Sequence, residues 1–190
     1  MGNRRMGAQR LNALMKKGST GTDTSYQAGA GISGAILSHR MIRDGVFVIT
    51  EIVLDLGTTA TDIRSATVDR PIGTNGSTAS AELMLWEDDI HGVLQSTETY
   101  IAEALTTVTA CSLAVGTNQA AIDVAITGRA DINEGFATNA KRVGASLVQA
   151  TSPDGKYVYL TNDDGATTTF AAGQLTIRLI GMKTAEISVD

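Results

Sequence analysis

Residues that staple, kink or stack a chain are scarce in this sequence of 190. A single cysteine, Cys111, excludes an internal disulfide framework and a cysteine-based zinc site. Two prolines, Pro71 and Pro153, leave most turns to Gly, Asn and Asp. Aromatics amount to three Phe, four Tyr and the lone Trp86. Charged residues make up 18% and apolar residues 43%, both low for a globular chain. The sequence is nevertheless too apolar, and its net charge of −5 too small, for disorder. No apolar run nears the roughly 18 residues of a membrane helix. The basic start is not followed by a continuous apolar stretch. Neither a membrane partner nor a signal peptide is expected.

Thr, Ala and Gly fill the gap, with 25, 25 and 20 residues. Charge is distributed unevenly. Residues 1–17 hold Arg4, Arg5, Arg10, Lys16 and Lys17 and no acid, while all 20 acidic residues follow from Asp23 onward. An acidic body repels polyphosphate, so no nucleic-acid partner is expected. Within the arm, Leu11, Leu14 and Met15 sit at i, i+3 and i+4, one stripe of a short helix. Gly18 suits its C-terminal cap. The eleven residues 7–17 are too few for a stable isolated helix, so this segment is expected to order only against a partner. Arg4, Arg5, Arg10, Leu11, Leu14, Met15, Lys16 and Lys17 are therefore the candidate partner-binding residues. The stretch 18–34, rich in Gly, Ser and Thr, reads as a flexible or extended linker.

From Ile36 the texture changes to short runs of Val, Ile, Leu and Thr. The runs 36–42 and 46–56 flank Asp44-Gly45, a hairpin signal of the type I′ kind. Val46, Val48, Thr50, Ile52, Leu54 and Leu56 share one predicted face. Thr74-Asn75-Gly76 marks a second turn within a loop reaching Ser80. Strands are then predicted at 81–87, 92–105, 107–115, 121–127, 143–150, 156–162 and 174–183. In 92–105, Val93, Thr97, Thr99 and Ile101 are set against Leu94, Ser96, Glu98 and Tyr100, and the end of the run is able to turn helical. Pro153-Asp154-Gly155 and Asp163-Asp164-Gly165 read as turns. In the last two strands Tyr157 and Tyr159 oppose Val158 and Leu160, and Leu175, Ile177 and Leu179 oppose Thr176, Arg178 and Ile180. Nothing alternates strand with long helix, so a parallel α/β sheet is disfavoured. The expected fold is all-β, an antiparallel sandwich or jelly-roll-like domain over 36–190. An extended or short-helical arm and linker would occupy 1–35.

Catalytic patterns are weak. Gly29, Gly31 and Gly34 match G-x-G-x-x-G, but no strand precedes and no helix follows, so a hinge is the better reading than a dinucleotide site. Asp88, Asp89 and His91 read as a solvated turn rather than a metal site. Asn162, Asp163 and Asp164 lack calcium-loop spacing and read as hairpin turn residues. No G-x-S-x-G is present, and Cys111 fits a small core position better than a nucleophile. Glu82, Glu87, Glu98 and Glu103 could pair for glycoside hydrolysis, but strand surface positions explain them as well. No enzyme activity and no cofactor are expected.

The start, MGNRRMGAQRLNALMKKG, resembles the N-terminus of virion structural proteins from tailed phages of marine bacteria. The run from Tyr157 to Asn162 followed by 172–181 is similar to that group's closing hairpin, and the turn from Trp86 to Gly92 and Thr97-Glu98-Thr99 fit as well. The resemblance implies a non-enzymatic protein of the virion, assembled in the host cytoplasm and placed on the capsid exterior as a decoration or cement protein. Its implied partners are the major capsid protein and copies of itself, as a homo-oligomer such as a trimer. The alternative is a capsid-fibre or tail accessory module that binds host-surface carbohydrate, with Trp86 or Tyr157 as stacking residues.

Overall fold

A computed structural model describes residues 26–57, 63–65, 67–105, 110–122, 124–137, 143–147, 153–163, 168–170 and 172–183. The candidate arm residues from Arg4 to Lys17 and the Asp164-Gly165 half of the last predicted turn lie outside them.

The first hairpin pairs β1 (Ile36–Asp44) with β2 (Phe47–Asp55). Asp44 pairs with Phe47, so Gly45 and Val46 form the two-residue loop. Only Gly45 has positive φ, +63°. That is the type II′ requirement, with Gly in first position, rather than the type I′ turn predicted for Asp44-Gly45. Val46 is consequently an exposed loop residue, off the face it was predicted to share. Val48, Thr50, Ile52, Leu54 and Leu56 are buried as expected.

Beyond the hairpin come β3 (Ile63–Ser65), β4 (Ile72–Thr74), β5 (Met84–Trp86), the one-turn helix α1 (Asp88–His91) and β6 (Val93–Glu103). They are followed by β7 (Ala110–Gly116), β8 (Ala130–Ala137), β9 (Val143–Leu147), β10 (Lys156–Asn162), β11 (Thr168–Thr169) and β12 (Gln174–Met182). Every strand pair is antiparallel. One sheet has five strands in the order β1-β2-β12-β6-β9, a second has four in the order β5-β10-β7-β8, and a third has three in the order β11-β3-β4. The fold is all-β, and among the described residues no helix is long and apolar enough to cross a membrane.

Side-chain period explains how the sheets share a core. Ile52 and Leu54 on β2 and Leu175, Ile177 and Leu179 on β12 point inward from the five-stranded sheet. They join one cluster with Trp86, Leu113, Val115, Val158 and Leu160 of the four-stranded sheet and with Ile63 and Ile72 of the small one. Cys111 is a buried member of that cluster. Tyr159, on the opposite face of β10, packs with Ala120 and Ile126 in a second cluster, with Tyr157 against it.

Four sequence expectations need correction. The run 121–127 alternates, but its described residues, all except 123, form a loop, because side chains take up backbone groups that a strand would pair. Asn118 Oδ1 accepts from Thr127 N–H at 2.7 Å, and Asn118 Nδ2 donates to Ala125 C=O at 3.2 Å. Tyr159 Oη donates to Asn118 C=O at 2.5 Å and accepts from Ala120 N–H at 3.0 Å. The end of 92–105 is strand to Glu103, not helix. Within it the register shifts between the partners of Ile180 and Gly181, a bulge that turns Leu94 inward alongside Thr97, Thr99 and Ile101. Finally, the end of the stretch read as a linker is packed. Ile32 and Ala35 are buried in the main core or at its edge, and the N–H groups of Gly29 and Gly31 donate to the carbonyls of Glu82 and Ser80. A Cβ on Gly29 would lie 2.2 Å from Ser80 O, and one on Gly31 would lie 2.6 Å from Ala79 O. These glycines serve close backbone approach, not a hinge.

Candidate interaction surface

The face of the five-stranded sheet that points away from the core is organised in rows. Register places Arg40 opposite Glu51, Glu51 opposite Arg178, and Arg178 opposite Glu98. Charge therefore alternates across four adjacent strands. Arg40 Nε donates to Glu51 Oε1 and Arg178 Nε to Glu51 Oε2, each at 2.7 Å. Arg178 Nη1 lies 3.7 Å from Glu98 Oε2. One flanking row runs Ile42, Ile49, Ile180 and Ser96, and beyond it lie Phe47, Met182 and Val93. On the other side Val53, Thr176 and Tyr100 form a row. Phe47 and Tyr100 are exposed. The depression above the charged row has a volume of about 340 Å³ and is lined by Arg40, Glu51, Glu98, Tyr100, Thr176 and Arg178.

Glu51 is the pivot. Its side chain is 8% exposed, against 51% for Arg40 and 47% for Arg178. Burial opposes its ionisation, but the hydrogen bonds and charges of Arg40 and Arg178 outweigh that and hold the carboxyl below its ordinary 4.5. Charge-assisted bonds of this kind are worth more than neutral ones, discounted here because both guanidinium groups are half in water. Glu51→Gln is expected to destabilise the protein by about 1–2 kcal/mol at pH 7. A depressed carboxyl contributes stability above its unfolded value and loses it as pH falls. The gap between wild-type and E51Q urea midpoints should therefore be full at pH 7 and close as the pH drops below 4.5. A gap that stays constant down to pH 3 would contradict the ionised pivot.

No family model, curated protein or solved structure matches the chain.

The other residues singled out by sequence fall elsewhere. Asp88 accepts from Trp86 Nε1 at 2.9 Å, and His91 Nδ1 sits 3.0 Å from Thr50 Oγ1 while its ring stacks on Trp86. The Asp88–His91 turn is thus a structural pin. No group of three or more His, Cys, Asp or Glu that could hold a metal occurs among the described residues. Glu98 and Glu103 lie on β6, whereas Glu82 and Glu87 flank β5 and line a different cavity. Trp86 is fully buried, so it offers no platform for a sugar ring. Sequence reasoning missed the Arg40–Glu51–Arg178–Glu98 row. Even its first pair depends on the observed turn: closure at Asp44 and Phe47 sets Arg40 against Glu51, whereas a turn on Asp44-Gly45 would have set Arg40 against Ile49.

Proposed function

We propose that the protein is a virion structural protein, a capsid decoration or cement protein that binds the outer shell without catalysing a reaction. The observation carrying this reading is the outward face of the five-stranded sheet. It combines a balanced, mutually neutralised charge row with apolar side chains on both sides, Ile42, Ile49 and Ile180 on one and Val53 and Tyr100, beside Ser38 and Thr176, on the other. Such a face suits a broad protein contact: the apolar rows supply area, at about 25 cal/mol per Å² buried, and the fixed charges supply register and specificity. The resemblance of the arm and closing hairpin to marine tailed-phage virion proteins supports it. Arg4, Arg5, Arg10, Lys16 and Lys17 would meet acidic groups of the major capsid protein, with Leu11, Leu14 and Met15 in an apolar groove. Repetition at symmetry-related sites, and self-association as a homo-oligomer such as a trimer, would multiply weak contacts by avidity.

Particle composition and imaging test this. Purified virions are expected to contain the protein in many copies, as ordered density outside the shell at symmetry-related positions. Arg178→Glu, which confronts Glu51 and Glu98 with a third carboxylate, is expected to abolish rebinding of the purified, folded variant to stripped particles. Absence from virions would overturn this reading and the accessory module alike, whereas saturable binding of the purified protein on a glycan array without binding to capsids would replace it with the carbohydrate-binding accessory module.

A further inference from the structure

The order of charges on the outward face of the five-stranded sheet limits how two copies can meet. From β1 to β6 the row reads Arg40, Glu51, Arg178, Glu98, and it ends there, because register sets Ala145 of β9 against Glu98. Read backwards, this alternating row is itself with every sign changed. A second copy can be stacked face to face about a two-fold axis that runs along the strands between β2 and β12. That axis reverses strand order and keeps each row level. Arg40 then faces Glu98 of the second copy, and Glu51 faces its Arg178, so no like charges meet. A two-fold axis running across the strands would instead set Arg40 on Arg40 and Glu51 on Glu51. The row therefore favours one arrangement and rejects the other.

The flanking rows obey the same operation. Ile49 falls on Ile180 of the second copy, Phe47 on its Met182 and Val53 on its Thr176. Two sheets of the same twist stack with their strands aligned. The face is open, with Phe47 and Tyr100 exposed and Arg40 and Arg178 half exposed. β1, β2 and β12 each have nine residues. Four such strands cover roughly 19 Å by 30 Å at ordinary strand spacing and rise. Counted on both copies that is roughly 1,100 Å², just above the ~1,000 Å² of a specific interface.

We propose that this face is a two-fold interface whose occupant is a second copy of the chain. The charges already neutralise one another within each copy, so they set the register, while Ile49, Ile180, Phe47 and Met182 supply the apolar area. The assignment names the partner of the face described above and rests on the reading of that face as a protein contact. Two-fold pairs then take the place of a trimer as the basic oligomer, and contact with the shell falls to the arm. Failure of Arg178→Glu to rebind particles follows from the lost avidity of the pair.

Sedimentation equilibrium of the purified full chain tests this. At about 100 μM, above the μM end of ordinary interfaces, wild type is expected to return twice the chain mass. R40E/R178E makes the row wholly acidic, and E51K/E98K makes it wholly basic. Each alone is expected to self-associate about a hundredfold more weakly, and an equimolar mixture is expected to restore the wild-type mass. A structural defect in either chain could not produce that recovery. A monomeric wild type, or folded variants that stay monomeric when mixed, overturns the proposal, as does self-association that neither variant weakens. Should either variant fail to fold, Ile49→Lys and Ile180→Glu replace them, because they leave the ion pairs intact and meet across the axis. They too should separate alone and pair when mixed, and an I49K chain that pairs as tightly as wild type overturns the interface. A wild-type monomer that still rebinds stripped particles overturns the two-fold pair and leaves the virion reading standing, whereas a dimer absent from virions does the reverse.

Discussion

Trp86→Ala is expected to cost about 3–5 kcal/mol, a large share of the 5–15 kcal/mol that holds a typical domain together. The indole is fully buried in the main cluster. It also connects elements that are remote in the chain. Its Nε1–H donates to Asp88 Oδ1, its ring stacks on His91 with centroids 4.9 Å apart at 30°, and His91 in turn meets Thr50. Trp86 belongs to the four-stranded sheet and Thr50 to the five-stranded one, so α1 pins the two together through this chain of contacts. The loop before β10 is tied to the same point, since Gly155 N–H donates to Trp86 C=O and Asp88 N–H to Asp154 Oδ1. Urea unfolding measures the loss. Trp86→Phe removes part of the buried ring as well as the Nε1–H donor, so it should cost about 1 kcal/mol more than its lost packing alone. A W86A loss below 1 kcal/mol would show that the sheets are held without the pin.

Fold class was legible because the long strands carry a two-residue period over most of their length. Leu175, Ile177 and Leu179 are buried on β12, and Val158 and Leu160 on β10 take the opposite side from Tyr159. The short strands were not legible. At three residues or fewer, β3, β4 and β11 cannot display a period, and the pairing of β11 with β3 joins segments distant in sequence. Period also misleads where side chains compete for the backbone, as Asn118 and Tyr159 do for residues 120–127. The interaction surface was hidden for a different reason. Arg178 bonds Glu51 across 127 positions, and no local rule specifies that β12 inserts between β2 and β6. Charge composition pointed to the arm, which lies outside the described residues.

Two glycine-to-alanine substitutions should differ in size because they act through different physics. Gly45 sits at φ +63° in the hairpin loop, and a methyl group added there would meet nothing within 4 Å. Gly45→Ala therefore meets only the backbone penalty of the left-handed region, about 1–2 kcal/mol. Gly181 lacks positive φ, so its backbone would accept alanine. Space would not. A Cβ there would lie 2.0 Å from His91 O, 2.9 Å from His91 C and 3.0 Å from Gly92 O, all backbone atoms at the end of α1. These cannot rotate away as a side-chain tip could. Relief requires α1 to move off β12, and that strains both the contact of His91 with Thr50 and its stack on Trp86. Gly181→Ala is thus expected to cost about 3 kcal/mol or more, at or beyond the upper end of ordinary overpacking, and to shift Trp86 emission in the folded state. G45A should leave that emission unchanged. Equal losses for the two variants, or an unperturbed Trp86 in G181A, would mean that α1 is not braced against β12 as the structure describes.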